Sequence, residues 1–197
     1  MITRLPRLFV LLLLSMVVSA SAAAPAEKKP NVLFLAVDDM KDWVHCLGGY
    51  EGTVQTPNID RLARDGIRFT DHYSGHTVCR PSRLVLLTGR HSGHTAISAN
   101  APYKLQPGAR TVTTLLKKAG YATGGVGKWA LGGAGSTGAP SKQGFDFWFG
   151  YLDQGNAHNF YPEYLWKNEK QFPLPGNVVG EKKRVSVQRT TYSHDLL

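Results

Sequence analysis

The stretch of sequence that indicates the fold occupies residues 31–39 and reads NVLFLAVDD. After Asn31 it has six apolar residues in a row, with no alternation of apolar and polar positions. A run of this kind is typical of a strand that is buried on both faces of a parallel sheet. The run ends at two adjacent carboxylates, Asp38 and Asp39. The sequence therefore predicts a buried strand over residues 31–37, with an acidic pair directly after it.

Helix and strand signals alternate downstream of this run. Thr56 is a suitable N-cap, Pro57 suits the first helical position, and Gly66 predicts the end of the same helix. Two further helices and two further strands are predicted over residues 81–87, 111–119, 67–70 and 121–126. Strands that alternate with helices indicate an α/β fold with a largely parallel sheet.

The N-terminal segment has the pattern of a secretory signal peptide. Arg4 and Arg7 precede an apolar run over residues 8–18, and small residues follow it. A membrane anchor is the weaker interpretation, because this run is about half of the ~20 apolar residues that a spanning helix needs. We therefore expect a signal peptide over residues 1–22 and a linker over residues 23–30. The protein is then exported to the periplasm or the extracellular space and does not span the membrane after cleavage.

The charge of the chain narrows the class of partner. The formal net charge is +9, and about +7 once Arg4 and Arg7 leave with the signal peptide. A positive protein attracts anionic partners at long range. The Lys and Arg residues are scattered, and the sequence has no nucleic-acid-binding motif or aromatic–basic repeat. Small or polymeric anions are therefore favoured over nucleic acid.

The acidic pair lies where an active site is expected. In open α/β sheets, ligands bind beyond the carboxyl ends of the strands. Carboxylate oxygens suit a hard cation such as Ca²⁺ or Mg²⁺. Within a regular strand, Asp38 and Asp39 would point to opposite faces, but beyond the strand end the backbone can turn both toward one ion. The pair alone leaves a solvated turn or a helix cap open as the alternative.

Cys79 belongs to a second candidate site, where residues 77–90 read TVCRPSRLVLLTGR. Cys79 precedes a predicted helix start, where the helix dipole favours an anion, and Arg80 and Arg83 are close in sequence. A thiol in such surroundings is reactive. These residues indicate an anion site with a nucleophile, or else a capped helix with solvated arginines. A disulfide with Cys46 is the ordinary expectation for two cysteines in an exported protein.

The pattern Cys-x-Pro-Ser-Arg, followed after four residues by Thr-Gly-Arg, resembles the signature of the type I sulfatases. These are formylglycine-dependent arylsulfatases of the alkaline-phosphatase-like superfamily. Residues 31–39, 56–63 and 120–129 resemble further parts of this family, in the same order. The resemblance implies an alkaline-phosphatase-like sandwich with a mixed, largely parallel sheet between helices. We expect residues 31–197 to be the truncated N-terminal part of such a catalytic domain, with an incomplete sheet.

The resemblance also implies a role for each matching residue. A formylglycine-generating or equivalent maturation enzyme would convert Cys79 to formylglycine (3-oxoalanine), whose hydrated aldehyde would be the nucleophile. Arg83 would hold and polarise the formylglycine hydroxyls, and Lys128 would bind the sulfate oxygens. Asp38, Asp39 and the converted Cys79 would bind Ca²⁺, with Mg²⁺ as the other candidate.

One position departs from the family pattern. The second sulfatase signature often reads Gly-Lys-Trp-His-Leu, whereas this chain has Ala130 in place of the histidine. We hypothesise that His158 supplies the absent imidazole at the catalytic and substrate-binding site. The alternative is that His158 is a loop residue or contacts only sugar. His72 and His76, close to Cys79 in sequence, are weaker candidates.

The sequence thus predicts a sulfuric ester hydrolase for a sulfated small molecule or polysaccharide. One alternative is a phosphodiesterase or phosphonate hydrolase with the same nucleophile. Another is a truncated, non-catalytic anion- or glycan-binding remnant, which Ala130 favours and the motif over residues 79–83 disfavours. Most of the aromatic residues within 145–151 and 161–166 are expected to pack in the core. The alternative is that they line a sugar-binding cleft. With Cys79 converted, Cys46 is expected to be a buried free thiol.

Overall fold

The structure, a computed structural model, describes residues 28–181 and 184–197. The predicted signal peptide over residues 1–22 and most of the predicted linker lie outside the described residues. The chain divides into two compact units, Met1–Met40 and Lys41–Leu197. None of the helices in the described part of the chain has both the length and the apolar character needed to cross a membrane.

The apolar run of the first unit does not form a strand. Residues 31–37 have no regular secondary structure and are exposed, with Leu33 at 83% exposure. The prediction of a buried strand over residues 31–37 is therefore wrong for this structure. Side-chain pattern alone carried that prediction, but a strand also needs neighbours that pair with its backbone N–H and C=O groups. The described residues 28–40 contain no strand that could supply such neighbours.

Three α-helices form within the described residues of the second unit: α1 (Pro57–Asp65), α2 (Cys79–Thr88) and α3 (Val112–Lys118). Each lies where the sequence predicted a helix. The start of α3 is fixed by a capping box, in which the Thr111 hydroxyl accepts from the Thr114 backbone N–H at 3.1 Å. In return, the Thr114 hydroxyl oxygen accepts from the Thr111 backbone N–H at 2.9 Å. This pair satisfies N–H groups that have no partner within the helix.

The main sheet of the second unit has four strands in the order β1-β2-β3-β4. They are β1 (Gly124–Lys128), β2 (Phe147–Tyr151), β3 (Tyr164–Lys167) and β4 (Lys170–Pro173). The β1–β2 pair is parallel, whereas β2–β3 and β3–β4 are antiparallel. The predicted α/β fold with a mixed sheet is confirmed.

The parallel share of the sheet is smaller than predicted, and its connections explain why. Residues 129–146 form the long crossover that a parallel β1–β2 pair requires. Only Asn168 and Glu169 separate β3 from β4, so this pair forms an antiparallel hairpin. A second, two-stranded antiparallel sheet consists of β5 (Val178–Val179) and β6 (Ser186–Gln188).

Two of the predicted strands differ from those observed. The strand predicted over residues 121–126 is observed as β1, which starts three residues later and ends two residues later than predicted. The strand predicted over residues 67–70 is not formed, and Ile67 and Phe69 are 83% and 74% exposed. Local β propensity was the only support for this segment, and such propensity is expressed only when side chains pack against strand neighbours.

The larger core joins α2 to β2 and to the segments that follow β1 and β2. Its buried members come from these parts and from one loop: Leu84, Leu105, Trp129, Leu131, Trp148 and Leu152. Trp129 is 2% exposed, and its indole N–H donates to the Gly138 carbonyl at 2.7 Å. Its ring meets those of Phe145 and Trp148 edge-on, with centroids 5.7 and 5.3 Å away. This packing holds α2 beside the residues that follow β1.

Asp146 ties α3 and β1 to the start of β2. Its carboxylate forms an ion pair with Lys117 and accepts from both the backbone N–H and the hydroxyl of Thr123, each at 3.0 Å. These bonds, that from Lys117 above all, lower the pKa of Asp146 from 3.8 to about 2. Because the charged form is favoured in the folded state, its contribution to stability is present above pH 3.8 and is lost as the pH falls toward about 2.

We expect Asp146→Asn to flatten the acid dependence of stability. The melting temperature of the unsubstituted protein should fall more steeply between about pH 4 and pH 2 than that of the variant. Thermal unfolding followed by circular dichroism at several pH values measures the two slopes. Asp65→Asn, at an exposed ion pair with Arg64, is the control and should keep the steeper slope. Equal slopes for Asp146→Asn and the unsubstituted protein would contradict this prediction.

Candidate active site

Cys79 is the first residue of α2, two positions earlier than the predicted helix start. Val78 is the N-cap with an extended backbone, and its N–H donates to Nδ1 of His76 at 3.1 Å. Pro81 is tolerated because the N–H groups of the first turn have no partner within the helix. The partly buried Cys79 side chain therefore lies at the N-terminal end of the helix, where the dipole favours negative charge.

Arg83 lies one helical turn after Cys79, on the same face of α2. Its Nη1 donates to the backbone carbonyl of Lys128, the last residue of β1. Arg83, Lys128 and Cys79 are all partly buried. The structure thus links the helix that carries the predicted nucleophile directly to the strand end that carries the predicted sulfate-binding lysine.

Arg80 makes a set of contacts that the sequence did not reveal. Its backbone N–H donates to Oδ1 of Asn100 at 3.0 Å, and its Nη1 donates to the carbonyls of Asn100, at 3.0 Å, and Ala101. Its Nε donates to the carbonyl of Ala130 at 2.9 Å. Arg80 therefore fastens the start of α2 to two loops. From sequence it was only a positive charge beside a thiol, and nothing singled out Asn100.

Ala130 extends the pairing of β1 and β2 beyond the strands themselves. Trp129 N–H donates to the Tyr151 carbonyl at 2.8 Å, and Ala130 N–H donates to the Leu152 carbonyl at 3.2 Å. Ala130 is 3% exposed and has a φ of 68°, a left-handed conformation that residues with a Cβ adopt only when their surroundings enforce it. The position where the family often has histidine is thus held firmly beside α2.

His158 is exposed and ends the short 3-10 turn Asn156–His158, which follows β2. The turn is fixed at its start because the Asn156 N–H donates to Oδ1 of Asp153 at 3.0 Å. Asn156 and Ala130 both line one cavity of about 260 Å³. The turn that carries His158 therefore begins at the cavity beside Ala130.

The other predicted thiol and histidines have structural surroundings of their own. Cys46 and Cys79 do not form a disulfide. Cys46 is only partly buried, so the prediction of a buried thiol is wrong: its segment lies at the start of α1, where Cys46 N–H donates to Oδ1 of Asp60 at 2.9 Å. His76 shapes the entry into α2 through Val78, whereas His72 is exposed.

Asp38 and Asp39 belong to the first unit and are exposed. They lie in a turn, and Asp39 has a φ of 54°. Asp is one of the residue types that adopt this left-handed conformation most readily. The turn removes the constraint that would point adjacent carboxylates to opposite faces of a strand. Two adjacent carboxylates are the donor chemistry that Ca²⁺ and Mg²⁺ prefer, so these residues fit the metal that the family implies.

The chain was compared with protein families, curated proteins and solved structures. Residues 30–193 match the family model described as Sulfatase. The chain is 34% identical over 161 residues to an N-acetylglucosamine-6-O-sulfatase of Bacteroides thetaiotaomicron, covering 80% of this chain and 27% of the relative. It is 42% identical over 141 residues to the N-acetylgalactosamine-6-sulfatase of Homo sapiens, covering 65% of this chain and 26% of the relative.

Solved structures agree with the sequence comparisons. One was determined in complex with its substrate D-glucosamine-2-N,6-O-disulfate, with a TM-score of 0.63 and 33% identity over 76% of this chain and 28% of that chain. Another, in complex with k-i-k-neocarrahexaose, has a TM-score of 0.53 and 31% identity over 60% of this chain and 32% of that chain. The chain has an α/β architecture with a mixed sheet, and its fold is similar to that of these solved structures. The chain belongs to the sulfatase family, because the family model matches residues 30–193. It spans about a quarter of the length of the curated relatives it matches.

Proposed function

We propose that this chain is part of the catalytic domain of an exported sulfatase that hydrolyses sulfate esters of sugars. A formylglycine made from Cys79 is its nucleophile. The observation that carries the proposal is the connection from Cys79 through α2 and Arg83 to Lys128, in a chain that matches the sulfatase family over residues 30–193. The protein acts in the periplasm or outside the cell, in keeping with the signal-peptide pattern over residues 1–22.

The chemistry of a hydrated aldehyde explains why Cys79 must be modified. One hydroxyl of the gem-diol attacks sulfur, its proton is removed, and the sugar alcohol leaves with a proton. The second hydroxyl then loses its proton, the C=O bond re-forms, and the carbon–oxygen bond to sulfate breaks. Sulfate leaves, and water regenerates the diol. An unmodified Ser or Cys lacks the second hydroxyl and would retain a stable ester, so the modification supplies the release step.

Arg83 and Lys128 provide positive charge around the reacting sulfate. Arg83 holds the formylglycine hydroxyls. Its hydrogen bond to the Lys128 carbonyl keeps the nucleophile and the sulfate-binding lysine at a fixed separation. The Lys128 ammonium opposes the negative charge that builds on the sulfate oxygens in the transition state. Asp38, Asp39 and the converted Cys79 would hold Ca²⁺, or Mg²⁺, which supplies Lewis-acid polarisation of the sulfate. His158 acts as the acid–base group in place of the histidine absent at Ala130.

Sulfated sugars are the substrate class that the relatives favour over phosphate esters. The two curated relatives compared above are named as sulfatases of N-acetylhexosamine 6-sulfates. A solved relative contains a sulfated glucosamine as its substrate. The positive net charge, about +7 without Arg4 and Arg7, also suits an anionic glycan.

Mass spectrometry of the Cys79 peptide tests the proposal. Trypsin leaves Cys79 in the peptide over residues 69–83, because Pro81 blocks cleavage after Arg80. We expect this peptide, from protein made in its own host, to be about 18 Da lighter than the cysteine form and to react with an aldehyde-specific hydrazide.

The peptide with Cys46 is the internal control and should keep the mass of an unmodified cysteine. An unmodified thiol at Cys79 would overturn the proposal and favour a non-catalytic anion- or glycan-binding role. Conversion without cleavage of any sulfated sugar, but with cleavage of a phosphodiester, would instead support the related phosphodiesterase activity.

A further inference from the structure

The cavity beside Ala130 has a lining that the catalytic step does not use. It measures about 260 Å³, below the roughly 300–1,000 Å³ of pockets for drug-sized ligands. Its side chains combine three aromatic rings with three planar polar groups: Tyr103, Tyr164, Trp166, Arg80, Asp153 and Asn156. Part of the wall is backbone, from Gly132 and Gly133. A small space with these surfaces suits one compact, polar ring.

The aromatic side of the cavity comes from one face of β3. Tyr164 and Trp166 are two residues apart, so both project from the same face, while Leu165 between them is fully buried on the other. The two rings meet edge-on, with centroids 5.6 Å apart and planes at 89°. Both residues are only partly buried. Their rings therefore offer rigid apolar surface without being fully used in the core.

The charges around the cavity favour neutral hydroxyl groups over a second anion. Nε and Nη1 of Arg80 already donate to backbone carbonyls. Asp153 contributes an exposed carboxylate, and its Oδ1 accepts a hydrogen bond from the Asn156 N–H. A carboxylate repels sulfate but accepts strong hydrogen bonds from hydroxyls. The cavity is thus unsuited to a sulfate group and suited to the polyol part of a ligand.

The cavity is also next to the predicted catalytic residues. Arg80 directly follows Cys79, and Ala130 lies two residues after Lys128. The family often has histidine at the position of Ala130, and the methyl group that lines the cavity here is smaller than an imidazole. A ligand in the cavity would be adjacent to a sulfate held between Cys79 and Lys128.

From this lining we infer that the cavity binds one pyranose ring of the sulfated substrate, with its hydrophobic face on Tyr164 and Trp166 and its hydroxyls on Asp153 and Asn156. This inference rests on the proposed function for the identity of the ligand. It adds a specificity site, which distinguishes a sulfated sugar from a simple aryl sulfate.

Binding measurements on two variants test the site. The probe is D-glucosamine-2-N,6-O-disulfate, titrated by calorimetry into the protein at its full natural length and carrying Cys79→Ala, so that the probe is bound but not hydrolysed. Tyr164→Ala removes one ring and should raise the dissociation constant at least about tenfold. Asp153→Asn keeps the acceptor for the Asn156 N–H but loses the charge, and should raise it about fivefold. Tyr50→Ala, which removes an aromatic residue that is 45% exposed outside the cavity, is the control and should leave it unchanged.

Release of inorganic sulfate from the same disulfate by the unsubstituted protein tests the proposed function separately from this inference. If sulfate is released but both variants bind the sugar as tightly as the Cys79→Ala protein alone does, the cavity is not the sugar site. If no sulfate is released but the variants still bind the sugar more weakly, the sulfatase proposal fails and the sugar site stands. Absence of both turnover and sugar binding overturns both. Circular dichroism of each variant excludes unfolding as the cause of lost binding.

Discussion

Cys79→Ser is expected to reduce steady-state turnover of a sulfate ester by about 10³-fold or more and to trap a covalent intermediate. The variant keeps a nucleophile of similar size at the first position of α2, with Arg83 one turn later. Its single hydroxyl can attack sulfur, but no second hydroxyl remains to expel the sulfate. The enzyme should therefore stop after the first half of the reaction.

Mass spectrometry after incubation with 4-nitrophenyl sulfate measures the trapped ester as a gain of about 80 Da on the peptide over residues 69–83. A burst of one equivalent of nitrophenol should accompany it. Cys79→Ala should show neither the adduct nor the burst, and Cys46→Ser should retain full turnover. Normal turnover by Cys79→Ser would show that the aldehyde is unnecessary and would refute the mechanism.

His158→Ala should lower kcat by about 10²-fold, the usual effect of removing a general acid–base group. The turn that carries His158 begins at the cavity that Ala130 also lines, and this shared location supports the exchange of one imidazole for another. Because the effect is on proton transfer, KM should change much less than kcat. Steady-state kinetics measures both constants.

A second substitution distinguishes a chemical role of His158 from a structural one. Ala130→His places an imidazole where the family often has one, at a φ of 68° that histidine tolerates better than most residues. Added to His158→Ala, it should recover part of the lost turnover. His94→Ala, on another loop, is the control and should have little effect. Near-normal kcat for His158→Ala alone would contradict the proposed role.

Much of the local structure followed from short-range patterns. Thr56 and Pro57 predicted the start of α1, and α1 begins at Pro57, although the Thr56 side chain makes no capping hydrogen bond. The helix predicted over residues 111–119 is α3, whose start is capped within one turn by Thr111 and Thr114. The prediction for residues 31–37 was wrong for the opposite reason. An apolar run identifies what a segment can bury, but its strand pairing depends on partners elsewhere in the chain.

By itself, the sequence determined the class of fold, the sulfatase family and the position of Cys79 at a helix start. Each of these depends on contiguous residues, whose contacts are settled within a few positions of the chain. Only the tertiary structure decided that Arg83 bonds to the Lys128 carbonyl 45 positions away, and that Arg80 joins Asn100 and Ala130 at separations of 20 and 50. The tertiary structure also forms the cavity, whose walls come from α2, β3 and the loops between them. Contacts of this kind form because a shared core brings distant segments together, and no local pattern encodes which carbonyl an arginine will reach.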